Sequence, residues 1–455
     1  MNMKAYYKIT DEIEELANLT QRNLSIEPEL YTKYDVKRGL RDLSGRGVLA
    51  GLTKIAEVKS YTIDDAEMIP CEGKLFYHGI NIQQIVDGFV SEKRFGFEET
   101  AYLLIFGELP TEEKLNRFSD LLANYSELPP SFTRDVILKS PSRDVMNAMA
   151  RSVLTMYSYD LQADDLSISN LMRQSLQLIS LFPRLAVYGY HAAQHFHEDQ
   201  SLYIHSPKRG YSTAQNILHM LRSDNSFTDL EAEVLDVALV VHADHGGGNN
   251  STFATRVVSS SGTDTYSAIA AALGSLKGPR HGGANIKVAR MFDDIKDKVK
   301  HWDNDGEIRD YLANILDKKA FDQSGLIYGM GHAVYSLSDP RAEIFKGYVK
   351  MLSKEKQREE EFALYSRVAE LAPELIGEKR KIYKGVSANV DFYSGFVYKL
   401  LGLPEEIYTP LFATARVAGW CAHRMEEIIS GSKIIRPAYK NIGGHKPYIP
   451  MSERT

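Results

Sequence analysis

Three stretches in the second half of the chain put imidazole, carboxylate and guanidinium groups beside glycines that leave them reachable. GLIYGMGHAVYSLSDPR, from Gly325, sets His332 behind a run of glycines and follows it seven residues later with Asp339, Pro340 and Arg341. LKGPRHGGANIKVARM, from Leu276, breaks at Gly278 and Pro279 and carries His281 just ahead of a new helix. VVHADHGGGNN, from Val240, ends an apolar helix with His242 and His245 and then three glycines, which end the helix and admit a ligand or a second backbone. The chemistry on offer is hydrogen-bond donation by a neutral imidazole and proton transfer to a carboxylate base. A helix N-terminus disfavours imidazolium, so His281 is expected to be neutral and still able to donate one hydrogen bond. SANVDFYSGFVYKLLG places Asp391 at the head of an apolar helix, where it reads either as a plain N-cap or as a carboxyl raised by its surroundings and usable as a general base.

Arginines supply the complementary charge. Arg416 lies among Ala, Val, Gly and Trp in PLFATARVAGWCAHRMEEI. A buried guanidinium needs an anion, but the spacing equally puts Arg416 on one polar helical stripe with His423 and Glu427. Asp339 and Pro340 make a good N-cap and first helical residue, which explains the acid and the proline but neither His332 nor Arg341. Arg436, in KIIRPAYKN, reads by itself as a surface arginine. HAAQHFHED places His191 and His195 on one helix face with His197 beside them, and HADH offers another pair. Neither has the glutamate of HExxH or a cysteine at hand, and no metal site is expected. No glycine motif of a nucleotide fold follows a strand-like run.

The elements that must position these groups are mostly helices. ITDEIEELANL, FEETAYLLIFG, EEKLNRFSDLLANY, SRDVMNAMARSVLTMYSY, DLEAEVLDVALVVHADH and REEEFALYSRVAELAPEL repeat apolar residues every three or four positions. YSAIAAALGSL is so rich in small residues that a close-packed neighbour is expected. Strand-like alternation is confined to residues 51–79, where a small sheet is expected. The 455 residues suffice for two or three domains, and 44% hydrophobic with 25% charged residues is a globular composition. A net charge of −6 argues against a dedicated nucleic-acid binder. No apolar run approaches a membrane span. Two cysteines are too few for a disulfide scaffold, and the acidic start resembles neither a signal nor a transit peptide, so a cytoplasmic protein is expected.

Taken together, these stretches resemble the citrate synthase family. RGVLAGLTKIAEVKSYTI, KLFYHGINIQQIV and FEETAYLLIFGELPTEEKL look like its amino-terminal region. HADHGGGNNSTFATRVV, GSLKGPRHGGAN, GMGHAVYSLSDPR, NVDFYSG, FATARVAGW and IIRP stand in the family's order at about its spacing. Departures are slight: Ala333 stands where many members have arginine, Gly246 replaces a frequent glutamate, and Arg280 precedes the first catalytic histidine.

The resemblance implies condensation of acetyl-CoA with oxaloacetate and water to citrate and CoA, the entry to the tricarboxylic acid cycle. His281 would hydrogen-bond the thioester oxygen, Asp391 would take a methyl proton, and His332 would polarise the oxaloacetate carbonyl. His245, Arg341 and Arg416 would hold the dicarboxylate, with Arg436 supplied by the partner subunit of a homodimer. Backbone from Leu326 through Ile327, Tyr328, Gly329 and Met330 to Gly331 would lie near the adenine of CoA. No cofactor is implied, acetyl-CoA being a substrate. The implied fold is all-α: a large domain of residues 1–285 and 393–455, a small inserted domain of residues 286–392, and the minor sheet near the N-terminus. A 2-methylcitrate synthase using propionyl-CoA would share every catalytic residue. A catalytically silent binding protein on the same fold is the reading outside the class, and intact His281, His332 and Asp391 argue against it.

Overall fold

The computed structural model describes residues 9–42, 46–64, 67–332, 334–335, 337–380, 385–431 and 433–454, so Ala333 lies outside the described residues. The chain divides into two units, Met1–Gly51 and Leu52–Thr455. In the first, α1 (Asp11–Leu24) is capped where Thr10 accepts the Ile13 N–H, and α2 (Pro28–Lys33) starts on a proline whose fixed φ suits the first helical position. Neither helix buries a residue.

The second unit opens with the expected sheet. β1 (Ala56–Asp64), β2 (Glu67–Tyr77) and β3 (Ile80–Asn81) pair antiparallel in that order, with the register slipping between Lys59 and Tyr61. Helices then follow in series: α3 (Ile82–Ser91), α4 (Phe97–Phe106), α5 (Glu112–Asn124), α6 (Val145–Met156), α7 (Ile168–Glu198), α8 (Thr213–Leu221), α9 (Asp229–His242), α10 (Asn250–Ser259), α11 (Thr265–Lys277), α12 (Ala284–Lys298), α13 (Asp305–Leu316), α14 (Pro340–Glu355), α15 (Glu359–Arg380), α16 (Val390–Leu400) and α17 (Tyr408–Ile429). All six segments singled out by periodicity are helical, and the fold is all-α with a minor sheet. Capping boxes at Ser212/Gln215 and Thr228/Glu231 start α8 and α9.

One continuous hydrophobic core, in two parts, positions the chemistry. α17 is buried at every residue from Tyr408 to Met425, as a helix apolar on nearly all sides must be. It lies against α7, where Phe182 meets the Trp420 ring edge-on at 6.5 Å. α7 runs 31 residues, about 46 Å, straight through Pro183; no periodicity had marked it out. The small residues of α11 let it pack on α6 and α10, as expected. The second part joins α12, α15 and α16: Tyr365 stacks between Phe292 and Phe396 with centroid separations of 3.4 and 4.3 Å, and Phe392 meets both Tyr365 and Phe292 edge-on. Among the described residues, no helix is long and apolar enough to cross a membrane.

Candidate active site

α9 ends at His242, and the turn that follows is held from three sides. The Tyr77 hydroxyl of β2 lies 3.1 Å from the carbonyl oxygens of Val240 and Asp244 and accepts the Asp244 N–H at 3.2 Å. Asp244 Oδ2 accepts the Gly246 N–H at 2.7 Å. On α17, Gly419 gives the turn room: a Cβ there would stand 2.5 Å from both the Ala243 carbonyl oxygen and Asp244 Oδ1. His245 thereby faces the glycine segment, with its ring 5.3 Å from that of His332 and 5.6 Å from that of Tyr335.

The glycine segment is pinned to the head of α16. Gly331 N–H donates to Ser387 O at 2.8 Å, Asn389 N–H to Gly329 O at 2.8 Å, and Asn389 Nδ2 to Gly331 O at 2.7 Å. Gly329 has φ +80°, and a Cβ there would come within 2.9 Å of the Phe392 backbone, so only glycine fits. His332 Nδ1 accepts the N–H groups of Val334 and Tyr335 at 3.0 and 3.2 Å. An acceptor nitrogen carries no proton, so the proton of the neutral ring sits on Nε2, which becomes a donor.

Asn389, whose side chain accepts the Asp391 N–H at 2.9 Å, is the N-cap of α16. This corrects the capping alternative for Asp391, which stands inside the first turn, partly exposed. Burial pushes its carboxyl up to about 6; Arg341 pulls the other way, Asp339 adds to the rise, and Arg416 again opposes it. Asp339 caps α14, as expected, but it does more. Oδ1 accepts the Arg341 N–H and Nε–H at 3.0 Å, while Oδ2 accepts Arg341 Nη2 at 2.8 Å and the Val390 N–H at 3.1 Å. One buried carboxylate thus ties together the helices carrying Arg341 and Asp391. Burial works against the Arg341 charge, and Asp339 overcomes it, holding the guanidinium above its ordinary value.

Arg416 is different. It is fully buried, and only Nε finds a protein partner, the His242 carbonyl at 2.7 Å; Nη1 and Nη2 have none among the described residues. Burial pushes its pKa down to about 10 against the attraction of Asp244. The stripe with His423 and Glu427 does exist, but it is buried: those two partner Arg256 and leave the Arg416 donors unanswered. Phe412 gathers the neighbours, its ring 4.7 Å from the guanidinium carbon of Arg416, 4.4 Å from His242 and 6.5 Å from His281.

His281 lies in the turn before α12, Nε2 3.1 Å from Ser251 Oγ. Burial, then Arg416, pushes its pKa down to about 4, so the ring is neutral as expected, though chiefly through burial. Ser251 Oγ also receives the Trp420 Nε1–H at 3.2 Å and donates its own proton to Asn249 Oδ1 at 2.9 Å, so it serves His281 only by turning from Asn249. When its single proton turns to His281 Nε2, the imidazole proton must sit on Nδ1. Burial and then Arg341 hold His242 and His245 well below ordinary histidine, and both nitrogens of His242 and Nε2 of His245 are buried without a partner among the described residues.

Six of the seven candidate residues therefore share one cluster, with His245, Arg341 and Arg416 buried and His281, His332 and Asp391 half-buried. Arg436 does not join them. It is exposed beyond the end of α17, where the Ile435 N–H binds Ser260 Oγ at 3.0 Å. In the 326–331 segment Leu326 is exposed, Ile327 is buried, and the Tyr328 hydroxyl binds Asp322 at 2.7 Å. Asp244, Tyr335 and Ser251 were missed. Asp244 sits between the two histidines of HADH, and its position there was the available signal.

A carboxyl raised to about 6, imidazoles beside it and buried guanidinium groups are together able to take a proton from a carbon acid beside a carbonyl and to hold an anionic partner. The family model described as citrate synthase, C-terminal domain, matches residues 42–438. A citrate synthase of Synechocystis is 34% identical over 388 residues, covering 84% of this chain and 89% of that protein. A 2-methylcitrate synthase of Shewanella oneidensis is 31% identical, covering 84% and 92%. A solved structure of Thermoplasma acidophilum citrate synthase, a ternary complex with carboxymethyl coenzyme A and oxaloacetate, aligns with TM-score 0.75 and 26% identity over 92% of this chain and 99% of that one. The chain belongs to the citrate synthase family.

Proposed function

We propose that the enzyme condenses acetyl-CoA with oxaloacetate and water to give citrate and CoA at the cluster between α9, α16 and α17. The observation that carries this reading is Asp391: a partly exposed carboxyl raised to about 6 is ionised at neutral pH and still basic enough to work. It takes a proton from the acetyl methyl group while His281, protonated on Nδ1, donates to the thioester oxygen as charge develops there. His332 Nε2–H donates to the keto oxygen of oxaloacetate; the new carbon–carbon bond forms at the keto carbon as the carbonyl π pair moves to that oxygen, which gains a proton to become the hydroxyl of citrate and so balances the one Asp391 removed. Arg416, the remaining donors of Arg341, and His245 hold the two carboxylates. Water then cleaves the thioester and releases CoA.

Residues 286–392 form a small domain inserted between the two parts of the large one, and its closure excludes water before the thioester is activated. Backbone of Leu326–Gly331 lines the CoA adenine. The unit of function is a homodimer in which Arg436 reaches the partner's cleft, since a short exposed arm after α17 leads away from its own site. The steps use no cofactor or metal. The enzyme acts in the cytosol, where Cys71 and Cys421 stay free.

The similarity to a 2-methylcitrate synthase is nearly as high as that to a citrate synthase, 31% against 34%, which supports propionyl-CoA as the second reading. Thiol release in the presence of oxaloacetate, compared between acetyl-CoA and propionyl-CoA, decides. A higher kcat/KM with acetyl-CoA is the expected outcome. A preference for propionyl-CoA favours the second reading, and no release with either returns the protein to the silent class.

A further inference from the structure

Behind the pocket lies a buried polar chain that none of the proposed steps uses. Arg256 of α10 donates through Nη1 to Glu427 at 2.8 Å and through Nη2 to Glu426 and to His423 Nδ1, the last at 2.7 Å. A guanidinium has only donors, so His423 Nδ1 must accept and the ring proton must sit on Nε2. That Nε2 lies 3.2 and 3.3 Å from the two oxygens of Asp244, with the better-aligned bond to Oδ2. His423 and Asp244 are both fully buried. Asp244 Oδ2 also takes the Gly246 N–H, and the close approach at Gly419 blocks the carboxylate from shifting toward α17. At the outer end Glu426 accepts the Lys54 N–H at 2.7 Å, where the chain enters β1.

We infer that Arg256 and His423 are positioning residues for the oxaloacetate pocket: they fix the Asp244 carboxylate so that it balances the Arg416 charge and holds the turn presenting His245. Without Arg256 the His423 proton is free to move to Nδ1, which would turn a lone pair on Nε2 toward the carboxylate. Asp244 would then lose its hydrogen bond and, with it, its fixed orientation. Neither Arg256 nor His423 contacts the substrate in this scheme. His423 lies seven residues past Arg416, about 10 Å along the same face of α17.

The inference rests on Arg416 binding a substrate carboxylate, and the test separates the two. Oxaloacetate Kd by calorimetry, kcat, both KM values and melting temperature are measured for His423→Phe, His423→Gln, Arg256→Gln, Arg416→Leu and the double variant His423→Phe with Arg416→Leu. His423→Phe and Arg256→Gln are each expected to raise the oxaloacetate Kd about tenfold while the acetyl-CoA KM stays within about twofold. His423→Gln, which keeps an N–H for Asp244, should recover most of the loss, and the double variant should bind no worse than Arg416→Leu alone. An unchanged Kd in a folded Arg256→Gln, or kcat and both KM values worsening together with the melting temperature, overturns the positioning role. Arg256→Gln and His423→Gln keep the test open if His423→Phe does not fold. If Arg416→Leu itself leaves the Kd unchanged, the parent reading falls; if it weakens binding and the His423 and Arg256 variants do not, only this inference falls.

Discussion

The molecule has two histidine-rich regions, and the contrast between them separates structure from function. At the end of α7, His191, His195 and His197 crowd into seven residues, yet each ring finds a backbone carbonyl: Met220 at 3.2 Å, Gln200 at 2.8 Å and Pro141 at 3.4 Å. Between α9, α16 and α17, by contrast, nitrogens of His242, His245 and Arg416 and the Tyr335 hydroxyl are buried with no protein partner among the described residues. A buried polar group left unpaired costs about 1–3 kcal/mol. Several gathered in one place persist because something outside the chain answers them. Density of imidazoles marks nothing, and single unanswered groups occur elsewhere, as at His205 Nε2 and His219 Nδ1; what sets this cluster apart is that unanswered donors of a buried arginine gather there with those of two histidines.

The sharpest way to break this contrast compares the two buried arginines of the cluster, Arg341 and Arg416. Arg416→Leu removes the donors proposed for the substrate and should weaken oxaloacetate binding about a hundredfold, while costing little stability, because Nη1 and Nη2 have no protein partner to lose among the described residues and Asp244 keeps the N–H groups of His423 and Gly246. Arg341→Leu strands Asp339 and should destabilise the fold by about 3–5 kcal/mol. If both variants lose stability alike, the distinction between answered and unanswered charge is wrong. Arg436, exposed and away from the cluster, sharpens the comparison across subunits. Mixing Asp391→Asn with Arg436→Ala subunits, each nearly inactive, should restore about a quarter of wild-type activity, because half the dimers then carry one intact site. No recovery on exchange would place Arg436 in its own site or in none.

Stability tests Asp391 in the opposite sense to activity. Its folded pKa is raised from 3.8 to about 6, so the protonated form is favoured by folding. That contribution is full below the unfolded value and is lost as pH rises through about 6. Asp391→Asn should therefore be more stable than wild type at pH 7.5, by on the order of 2 kcal/mol, with the gap closing toward pH 4. Urea melts at the two pH values check the sign. The smallest effects belong to α7: His195→Ala, or added chelator, should leave kcat within experimental scatter. A large loss restored by zinc would make that cluster a metal site after all.

Much of this was legible from local pattern. Six helices followed from apolar spacing and the sheet from alternation near residues 51–79, because both periods are written in neighbouring residues. Five of the six motifs of the second half, standing in order, named residues that the fold then gathered; the sixth, IIRP, carries Arg436, which stays exposed and apart. What stayed hidden was long-range. Asp339 looked like a cap and is one, but its second oxygen serves Val390, 51 residues away. The spacing of Arg416, His423 and Glu427 was read correctly, whereas their burial depends on α9 and α10 packing across them. Asp391 resembled a cap only until Asn389, two residues earlier, took that role. Asp244 carried no local signal beyond its place between two histidines, since its partner His423 lies 179 residues on.

In the proposed mechanism Asp391 is the base that the other cluster residues serve. Oxaloacetate titrated calorimetrically into Asp391→Asn should bind with nearly wild-type affinity, because the asparagine leaves Arg416, Arg341 and His245 in place. Thiol release from acetyl-CoA by the same preparation should fall about 10² to 10⁴-fold, the range a positioned general base contributes. A variant that binds oxaloacetate normally and keeps half its turnover would show that the proton leaves to some other group, and the proposed mechanism would be wrong.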